Sequence, residues 1–245
     1  YIGVDVARSA KTSNNASAIV VIRVRRDAKE RVRELQAVNV VKLPNGLNFK
    51  QQTVICKQMC ALYNAKAIVI DINGLGKGLL DYMLDRNILD DGTELEPYDM
   101  INTDYRSDYR DAKKLVYGIE AQKNNSEMIT NFINVVEGSI LRILEHFDVN
   151  KALDIPDEDF MVSDVLPFLR TENFISEVQN ITVETIPGTG KLKIGQVVRA
   201  DKDIYSATIQ VCWYVMTFCN DALPDEDEDF ASFFSGFISQ PKIKR

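Results

Sequence analysis

Three acidic positions in this sequence combine the residue type and the surroundings expected of metal ligands. Asp5 lies near the end of the first apolar segment, Asp71 ends the apolar run AIVID, and Asp203 stands where a late apolar helix should begin. Asp201, two residues before Asp203, is an alternative at the third position. Taken singly, the three have ordinary explanations: a polar strand end, a turn-forming aspartate and a helix cap. Brought together, their carboxylates would repel one another unless a cation lay between them, and hard divalent ions prefer such oxygen ligands.

The order of the secondary-structure elements decides whether these acids can meet. Hydrophobic patterning predicts three strands joined by short connections, then a helix, a fourth strand and a second helix. These segments cover residues 1–6, 17–26, 32–43, 48–63, 66–72 and 76–89. This order opens the ribonuclease H-like fold, in which the first strand and the fourth lie side by side. Because neighbouring strands are about 4.8 Å apart, we expect Asp5 and Asp71 to be neighbours at one edge of the sheet.

The second half of the chain is predicted to complete this domain. We expect a fifth strand, two helices, a β-hairpin around PGTG and a last helix, at residues 98–105, 111–120, 126–146, 181–186 with 191–197, and 204–218. The predicted fold class is α/β: a ribonuclease H-like mixed five-stranded sheet, with three antiparallel strands and then parallel strands, flanked by helices and carrying an added β-hairpin. Residues 1–220 are assigned to this domain, and residues 221–245, with the acidic stretch DEDED, to an acidic linker and C-terminal tail.

The glycines that follow Asp71 do not form a phosphate-binding loop. That loop requires Gly-x4-Gly-Lys-Ser/Thr, whereas in NGLGKG the lysine is followed by Gly78. The later PGTGKLKIG fails as well, because Leu192 stands where the hydroxyl residue is required. We expect Gly74 and Gly76 instead to let the backbone turn away closely behind Asp71.

Composition and charge narrow the functional classes. The chain has 245 residues, 45% of them hydrophobic and 27% charged, with a formal net charge of −7 and a pI near 4.9. Nucleic-acid-binding domains are more often basic, so any contact with DNA must be local. Two basic groups could provide such a contact, although charge runs are usually solvated faces. They are Arg23, Arg25, Arg26, Lys29, Arg31 and Arg33 in the first hairpin, and Lys191, Lys193, Arg199 and Lys202 late in the chain.

Histidine and cysteine chemistry is disfavoured by the number and placement of these residues. The single histidine, His146, is predicted to end a helix, so a catalytic triad built on a histidine base is not expected. Cys56, Cys60, Cys212 and Cys219 lie in apolar helical stretches, which is typical of buried, reduced thiols rather than of a zinc site. No apolar run approaches the roughly 20 residues that a membrane span requires.

Four segments of the chain together resemble one known family. They are IGVDVARS, NNASAIVVI, IVIDINGLGKGLLDYM and FISEVQNITVETIPGTGKLKIGQVVRADKDIYSAT, and they lie between residues 1 and 218. They resemble the nuclease domain of the large terminase subunit of tailed bacteriophages, and the Asp-x-Asn-Gly-x-Gly element that begins at Asp71 is the most specific part. The resemblance implies catalytic and metal-binding roles for Asp5, Asp71 and Asp203. Many relatives carry Asp-Asp or His-x-x-Asp at the third position; here Asp-Lys-Asp leaves Asp201 as a competing metal ligand.

The resemblance also implies a reaction and its partners. It predicts an endonuclease that uses two divalent ions, Mg²⁺ or Mn²⁺, to cleave concatemeric viral double-stranded DNA during genome packaging, a mechanism that needs no histidine base. Arg8, Lys11 and Lys202 are candidates for DNA phosphate contacts, with a solvated surface as the plainer explanation for each. The implied partners are an N-terminal packaging ATPase domain of the same chain, a small terminase subunit and a portal protein, in the host cytoplasm and without a membrane. The chain begins with Tyr1 rather than Met, and we expect it to be a piece of a longer protein whose missing part is N-terminal.

Other functions remain open at this point. A Holliday-junction resolvase of the same fold would more usually carry glutamate on the fourth strand. A nucleotide-binding domain of the actin and sugar-kinase type would require a glycine-rich phosphate hairpin directly after Asp5, where this chain has Ala7-Arg8-Ser9-Ala10. A catalytically silent DNA-binding or assembly module is disfavoured by the intact set of acids.

Overall fold

The computed structural model describes residues 1–7, 16–145 and 162–220. One mixed sheet contains the strands β1 (Ile2–Asp5), β2 (Ala18–Arg26), β3 (Val32–Lys42), β4 (Ile68–Asp71), β7 (Tyr98–Met100), β8 (Lys113–Ile119) and β9 (Leu141–Arg142). Two smaller antiparallel pairs are β5 (Asn87–Ile88) with β6 (Glu94–Leu95), and the hairpin of β10 (Ile181–Thr185) with β11 (Leu192–Gln196). The helices are α1 (Phe49–Leu62), α2 (Gly76–Leu84), α3 (Ala121–Glu137), α4 (Val162–Gln179) and α5 (Asp203–Phe218).

The central strand of the large sheet is β1. The strand order is β7-β8-β4-β1-β2-β3-β9, and β1 pairs antiparallel with β2 and parallel with β4. The predicted α/β fold class, with three antiparallel strands followed by parallel ones, is confirmed, and so is the adjacency of the first and fourth strands. Ile68, Val69 and Ile70 are all fully buried, as the continuous apolar run predicts for a strand covered on both faces.

Helices cover both faces of the sheet, because alternate side chains of the central strands are apolar on each side. On one face, Ile2 and Ile70 pack with residues of α1 and with Leu79 of α2. On the other face, Val69 packs in a second cluster that includes Phe132 of α3 and much of α5, whose apolar residues include Val211. The molecule is therefore a three-layer α/β/α arrangement, and the functional residues must lie at the ends of the strands rather than on the covered faces of the sheet.

Helix α5 packs unusually close to β1, at Gly3. A Cβ atom at this position would lie 2.2 Å from the carbonyl oxygen of Ala207 and 3.0 Å from the Cβ of Val211. Only glycine permits this approach, since any side chain would push the helix away from the strand. The start of α5 is thereby held directly over the carboxyl end of β1.

The sequence prediction was wrong about the strand that neighbours β4. Residues 111–120 were expected to form a helix, but β8 runs through them and pairs parallel with β4, and the expected fifth strand became the edge strand β7. The reason is that Leu115 to Ile119 are all buried, and such a continuous, partly β-branched run suits a strand covered on both faces. Over residues 1–7, 16–145 and 162–220, the sheet has seven strands rather than the five predicted.

Two helix predictions also need correction. The helix expected over 126–146 is α3, which begins five residues earlier and ends at Glu137, before Gly138 and the short strand β9. Helix α1 forms where expected and is capped by Asn48, but the apolar series in its sequence does not form its buried face. None of Phe49, Val54, Ile55, Met59 and Leu62 is fully buried, whereas Gln52 and Cys56 are, because tertiary packing rather than the apolar series sets the rotation of the helix.

The remaining predictions are either confirmed or concern residues outside the described ones. The predicted hairpin and final helix are present as β10–β11 and α5. All four cysteines are free thiols: Cys56, Cys60 and Cys212 are buried, and Cys219 is partly buried. His146 and the proposed tail at 221–245 lie outside the described residues. Within those residues, no helix combines the length and the apolar character needed to cross a membrane.

Gly3→Ala should destabilise the protein by about 2–3 kcal/mol, because the added methyl group overpacks the contact between β1 and α5. Urea unfolding followed by circular dichroism measures this loss. Gly92→Ala is the comparison variant: Gly92 has a φ of +83° but open space around it, so only backbone strain of about 1 kcal/mol is expected there. Equal losses in the two variants would show that the close approach at Gly3 has no special weight.

Candidate metal and nucleic-acid site

Asp5 and Asp71 lie next to each other at the carboxyl edge of the sheet. Each is the last residue of its strand, and the parallel register of β1 and β4 pairs Val4 with Ile70, the residues just before them. On the other side, Asp5 pairs with Ala18, and Ala18 pairs with Lys42 at the end of β3. Asp71, Asp5 and Lys42 thus lie in one row across the neighbouring strands β4, β1, β2 and β3, with Ala18 as the β2 member of the row.

The turn behind Asp71 is built from backbone contacts that glycine alone allows. The Oδ1 atom of Asp71 accepts hydrogen bonds from the backbone N–H groups of Asn73 at 3.0 Å and of Ala121 at 3.1 Å. Gly74 has a φ of +69°, and a Cβ atom on Gly76 would lie 1.6 Å from the carbonyl oxygen of Asp71. Asp71 is therefore a turn-forming aspartate, one of the ordinary explanations considered for it. The glycines fold the backbone tightly behind it and fix its position.

Asp203 reaches the same edge from the first turn of α5. Its side chain is only 1% exposed, and its Oδ2 atom accepts the backbone N–H of Ala16 at 3.0 Å. The Nζ atom of Lys42 lies 3.7 Å from the same oxygen. The other oxygen, Oδ1, is buried without a hydrogen-bond partner among the described residues. The N-cap residue of α5 is Lys202 rather than Asp203, and the hydrogen bond that Asp203 accepts comes from Ala16 rather than from α5, so the helix-cap explanation does not account for this side chain.

Glu177 of α4 takes over the capping role, and sequence reasoning missed it. Its Oε2 atom accepts the backbone N–H of Tyr205, the third residue of α5, at 2.8 Å. A carboxylate at this point satisfies an otherwise unpaired N–H and interacts favourably with the helix dipole. The sequence signal for Glu177 was its position three residues after Phe174, which is itself three residues after Thr171. These three residues form a buried stripe along α4, where a glutamate is unexpected.

Burial, with a contribution from neighbouring carboxylates, raises the pKa values of Asp5, Glu177 and Asp203. Burial raises the pKa of Asp5 from an ordinary 3.8 to about 7, and the charges of Asp203 and Asp71 add to the rise, while Lys202 opposes it. Burial likewise raises the pKa of Glu177 to about 7, with the hydrogen bond from Tyr205 opposing and the charge of Asp203 contributing. Burial raises the pKa of Asp203 as well, against the Ala16 hydrogen bond and the charge of Lys42. This mutual influence is typical of functional sites and favours the arrival of a cation.

Asp201, the competing third acid, faces a different neighbour. Its side chain is 54% exposed and its Oδ2 atom is hydrogen-bonded to the ammonium group of Lys42. Its charge affects the pKa values of Asp203 and Glu177, whereas the charges that raise the pKa of Asp5 come from Asp203, Asp71 and Glu177. The charge of Asp203 therefore acts on Asp5, while Asp201 faces Lys42.

An open cavity of about 380 Å³ lies beside these acids. Asp5 and Asp71 line it together with the first turns of α3 and α5 and with the hairpin residue Ile194. Lys202 also lines this cavity, so the structure places one of the three predicted phosphate contacts at the acids. Arg8 and Lys11 lie outside the described residues.

The acids fit a divalent cation in kind and in charge. Their donors are all carboxylate oxygens, which Mg²⁺ and Mn²⁺ prefer, and the buried Oδ1 atom of Asp203 needs a partner. Through residues 1–7, 16–145 and 162–220, however, no three His, Cys, Asp or Glu side chains converge closely enough to form a ready-made metal site. Asp5, Asp71 and Asp203 are thus candidate ligands, although their side chains do not converge on one point.

The basic residues of the first hairpin are largely neutralised within the hairpin itself. Arg25 pairs with Glu34 at 3.1 Å, and Arg31 and Arg33 both pair with Asp27, at 2.9 and 2.8 Å. In the later basic group, Lys193 pairs with Glu184 at 3.0 Å. Such exposed pairs are worth little stability. Of the two basic groups, Lys202 is the member that lines the cavity beside the acids.

Comparison with solved structures finds similar folds. The crystal structure of the large terminase nuclease from the thermophilic phage G20c with bound magnesium is 13% identical, matches 86% of this chain and 78% of its own, and gives a TM-score of 0.49. The structure of that protein with bound cobalt gives the same values, and a third gives 12%, 85%, 78% and 0.48. With identities of 12–13% and TM-scores of 0.48–0.49, this likeness carries no conclusion about this chain. No protein-family profile and no curated protein matches the sequence.

The stability of the metal-free protein should fall as the pH rises from about 5 to about 8, and Asp5→Asn should reduce that fall. The pKa of Asp5 is about 7 in the fold and near 3.8 when exposed, so the protonated carboxyl stabilises the fold at low pH and this contribution is lost as the pH rises through 7. Asp5→Asn should therefore be more stable than the wild type at pH 8 by about 1–2 kcal/mol, and by less at pH 5. Urea unfolding in EDTA at both pH values measures the difference.

Asp90→Asn is the matched control for this experiment, because Asp90 is exposed and lies in a turn far along the chain from the site. Its stability should follow the wild type at both pH values. A stability difference for Asp5→Asn that does not change with pH would contradict the raised pKa of Asp5.

Proposed function

We propose that this chain is a divalent-metal-dependent nuclease, and that it acts as an endonuclease on double-stranded DNA. The observation that carries the proposal is that Asp5 and Asp71 end two adjacent strands, while the charge of the buried Asp203, at the start of α5, acts on Asp5. These are the three acids that the sequence resemblance to terminase nuclease domains singles out. Lys202 beside them supplies positive charge where a DNA phosphate would lie.

The proposal assigns roles to four acidic residues. Asp5, Asp71 and Asp203 hold the metal, and a pair of Mg²⁺ or Mn²⁺ ions supplies activation of the attacking water and stabilisation of the leaving oxygen. Asp71 is fixed by its two backbone hydrogen bonds, so its position is set before any ligand binds. Asp201 is assigned to Lys42 rather than to the metal.

The surroundings of the acids suit an extended polymer better than a small molecule. The cavity is partly open, and polar side chains, among them Gln122, Asn125 and Gln210, line it beside apolar ones such as Met128 and Ile209. Small-molecule sites are usually enclosed and mostly apolar. A phosphodiester backbone can lie across an open edge of this kind, and the tight turn at Gly74 and Gly76 keeps the chain out of its way.

The wider biological role rests on the sequence resemblance. We infer that the nuclease cuts concatemeric viral DNA during genome packaging, joined to an N-terminal packaging ATPase in the same chain and working with a small terminase subunit and a portal protein. This assignment places the protein in the host cytoplasm. Its support is the set of four matching segments, of which the element starting at Asp71 is the most specific.

The purified protein should nick and linearise supercoiled plasmid in Mn²⁺ or Mg²⁺ and should be inactive in EDTA. Asp71→Asn should slow cleavage by at least about a hundredfold, because an amide replaces a charged metal ligand. The change should also weaken Mn²⁺ binding in calorimetry. Asp90→Asn removes the same charge from an exposed turn and should cleave at the wild-type rate.

Three results would count against the proposal in different ways. Mn²⁺ binding that Asp71→Asn abolishes, without cleavage of any DNA, would keep the metal site and show that the isolated chain needs its ATPase. Absence of Mn²⁺ binding to the wild-type protein would overturn the metal site itself. Preferential cleavage of a four-way junction over plasmid would replace the packaging role with that of a resolvase.

Lys202→Ala should weaken binding to duplex DNA without sequence preference. If Lys202 contacts one phosphate, the plot of log affinity against log salt concentration should lose about one unit of slope. Fluorescence anisotropy in Ca²⁺ over a range of salt concentrations measures both quantities. Lys66→Ala is the control, because Lys66 is exposed just before β4, at the opposite end of that strand from Asp71; an equal effect of the two changes would argue against a contact at Lys202.

A further inference from the structure

Lys42 occupies a place in the site that the metal chemistry does not explain. It is the last residue of β3 and pairs with Ala18 of β2. Ala18 in turn pairs with Asp5 of β1. Directly opposed residues in neighbouring strands share a face of the sheet, so Lys42 stands on the same face as Asp5, two strands away. Its side chain is only 18% exposed, which is low for a lysine.

The ammonium group of Lys42 is shared between two aspartates. It is hydrogen-bonded to Asp201, and it lies 3.7 Å from the Oδ2 atom of Asp203. The first of these carboxylates is more than half exposed, and the second is almost completely buried. A buried carboxylate needs a nearby cation far more than an exposed one does, because water no longer screens it.

The small residue Ala18 makes this arrangement possible. Ala18 is fully buried between Asp5 and Lys42 in the row across the sheet, and its methyl group leaves the space above it to the start of α5. The Oδ2 atom of Asp203 is fixed there by the N–H of Ala16. The third carboxylate of the site is thus held between a lysine on one side and the other two acids on the opposite side.

We propose that Lys42 is a built-in counter-ion of Asp203, which positions this carboxylate in the metal-free protein and lowers the affinity of the site for divalent ions. The inference rests on the proposed metal site. Asp201 shares the ammonium group and so reduces its hold on Asp203. Lys42 and Asp201 together set the metal affinity, although neither binds the metal.

This arrangement predicts opposite effects from two neighbouring changes. Lys42→Met removes a positive charge that repels the incoming ion, so Mn²⁺ should bind about tenfold more tightly. Asp201→Asn leaves the ammonium group of Lys42 to Asp203 alone, so Mn²⁺ should bind several-fold more weakly. Lys42→Gln should behave as Lys42→Met does, and Lys42→Arg, which keeps the charge, should bind Mn²⁺ as the wild type does.

The double variant Lys42→Met with Asp201→Asn separates this role from direct metal binding by Asp201. If Asp201 acts through the lysine, Asp201→Asn should have no effect on Mn²⁺ affinity once Lys42 has been replaced. If Asp201 is itself a ligand, Asp201→Asn should weaken Mn²⁺ binding in both backgrounds. The difference between the two backgrounds is the coupling between the residues.

The experiment is calorimetric titration of the whole chain with Mn²⁺ at about pH 8, where the carboxyl of Asp5, with a pKa of about 7, is mostly ionised. Circular dichroism and thermal unfolding in EDTA check that each variant folds, and Lys42→Gln serves if Lys42→Met does not. Lys66→Met is the charge-matched control on the exposed surface before β4, and its Mn²⁺ affinity should equal that of the wild type.

The outcomes distinguish this inference from the proposed function. Tighter binding in both neutral variants, with wild-type affinity in Lys42→Arg, supports the counter-ion role, and so does Mn²⁺ binding that appears only when Lys42 is neutralised. Unchanged or weaker binding in Lys42→Met and Lys42→Gln overturns it while leaving the metal site intact. Absence of Mn²⁺ binding to the wild type and to every Lys42 variant overturns both.

Discussion

The site depends on one packing contact, the approach of α5 to β1 at Gly3. This glycine lets the backbone of α5 come within contact distance of the central strand, and the first residue of that helix then lies at the edge where β1 and β4 end. Glu177 secures the same helix terminus from α4. The third carboxylate is therefore delivered by tertiary packing, whereas the first two are delivered by the pairing of adjacent strands.

Bringing these carboxylates together opposes the stability of the fold. A shift of one pKa unit corresponds to about 1.4 kcal/mol, and Asp5 and Glu177 both have pKa values raised to about 7. The structure offsets part of this with backbone N–H groups: Ala16 donates to Asp203, and Ala121 donates to Asp71. Strain of this kind is commonly concentrated at functional sites, where a ligand relieves it.

The parts of the fold that local sequence patterns encode could be predicted. The apolar runs ending at Asp5 and Asp71 identify β1 and β4, and their order along the chain implies that they are adjacent. The glycines behind Asp71 indicate a close turn, which the left-handed backbone of Gly74 and the contact at Gly76 explain.

What could not be predicted depends on partners far apart in the chain. Lys42 acquires its place only through the register of β3 on β2, and Glu177 only through the packing of α4 against α5. The strand β8 was missed because a short apolar run satisfies helix and strand patterns alike until its neighbours are known. The choice between Asp201 and Asp203 was open for the same reason, since two residues of spacing at a helix start do not say which side chain turns inward.

The central claim is that Asp5, Asp71 and Asp203 together hold a divalent cation. Crystals of the protein soaked in Mn²⁺ and measured at a wavelength where manganese scatters anomalously would test it directly. The account predicts an anomalous difference peak within about 2.5 Å of carboxylate oxygens of Asp5 and Asp71, with Asp203 binding that ion or a second one beside it. No peak at this edge of the sheet, or a peak held by Asp201 without the two strand-end aspartates, would contradict it.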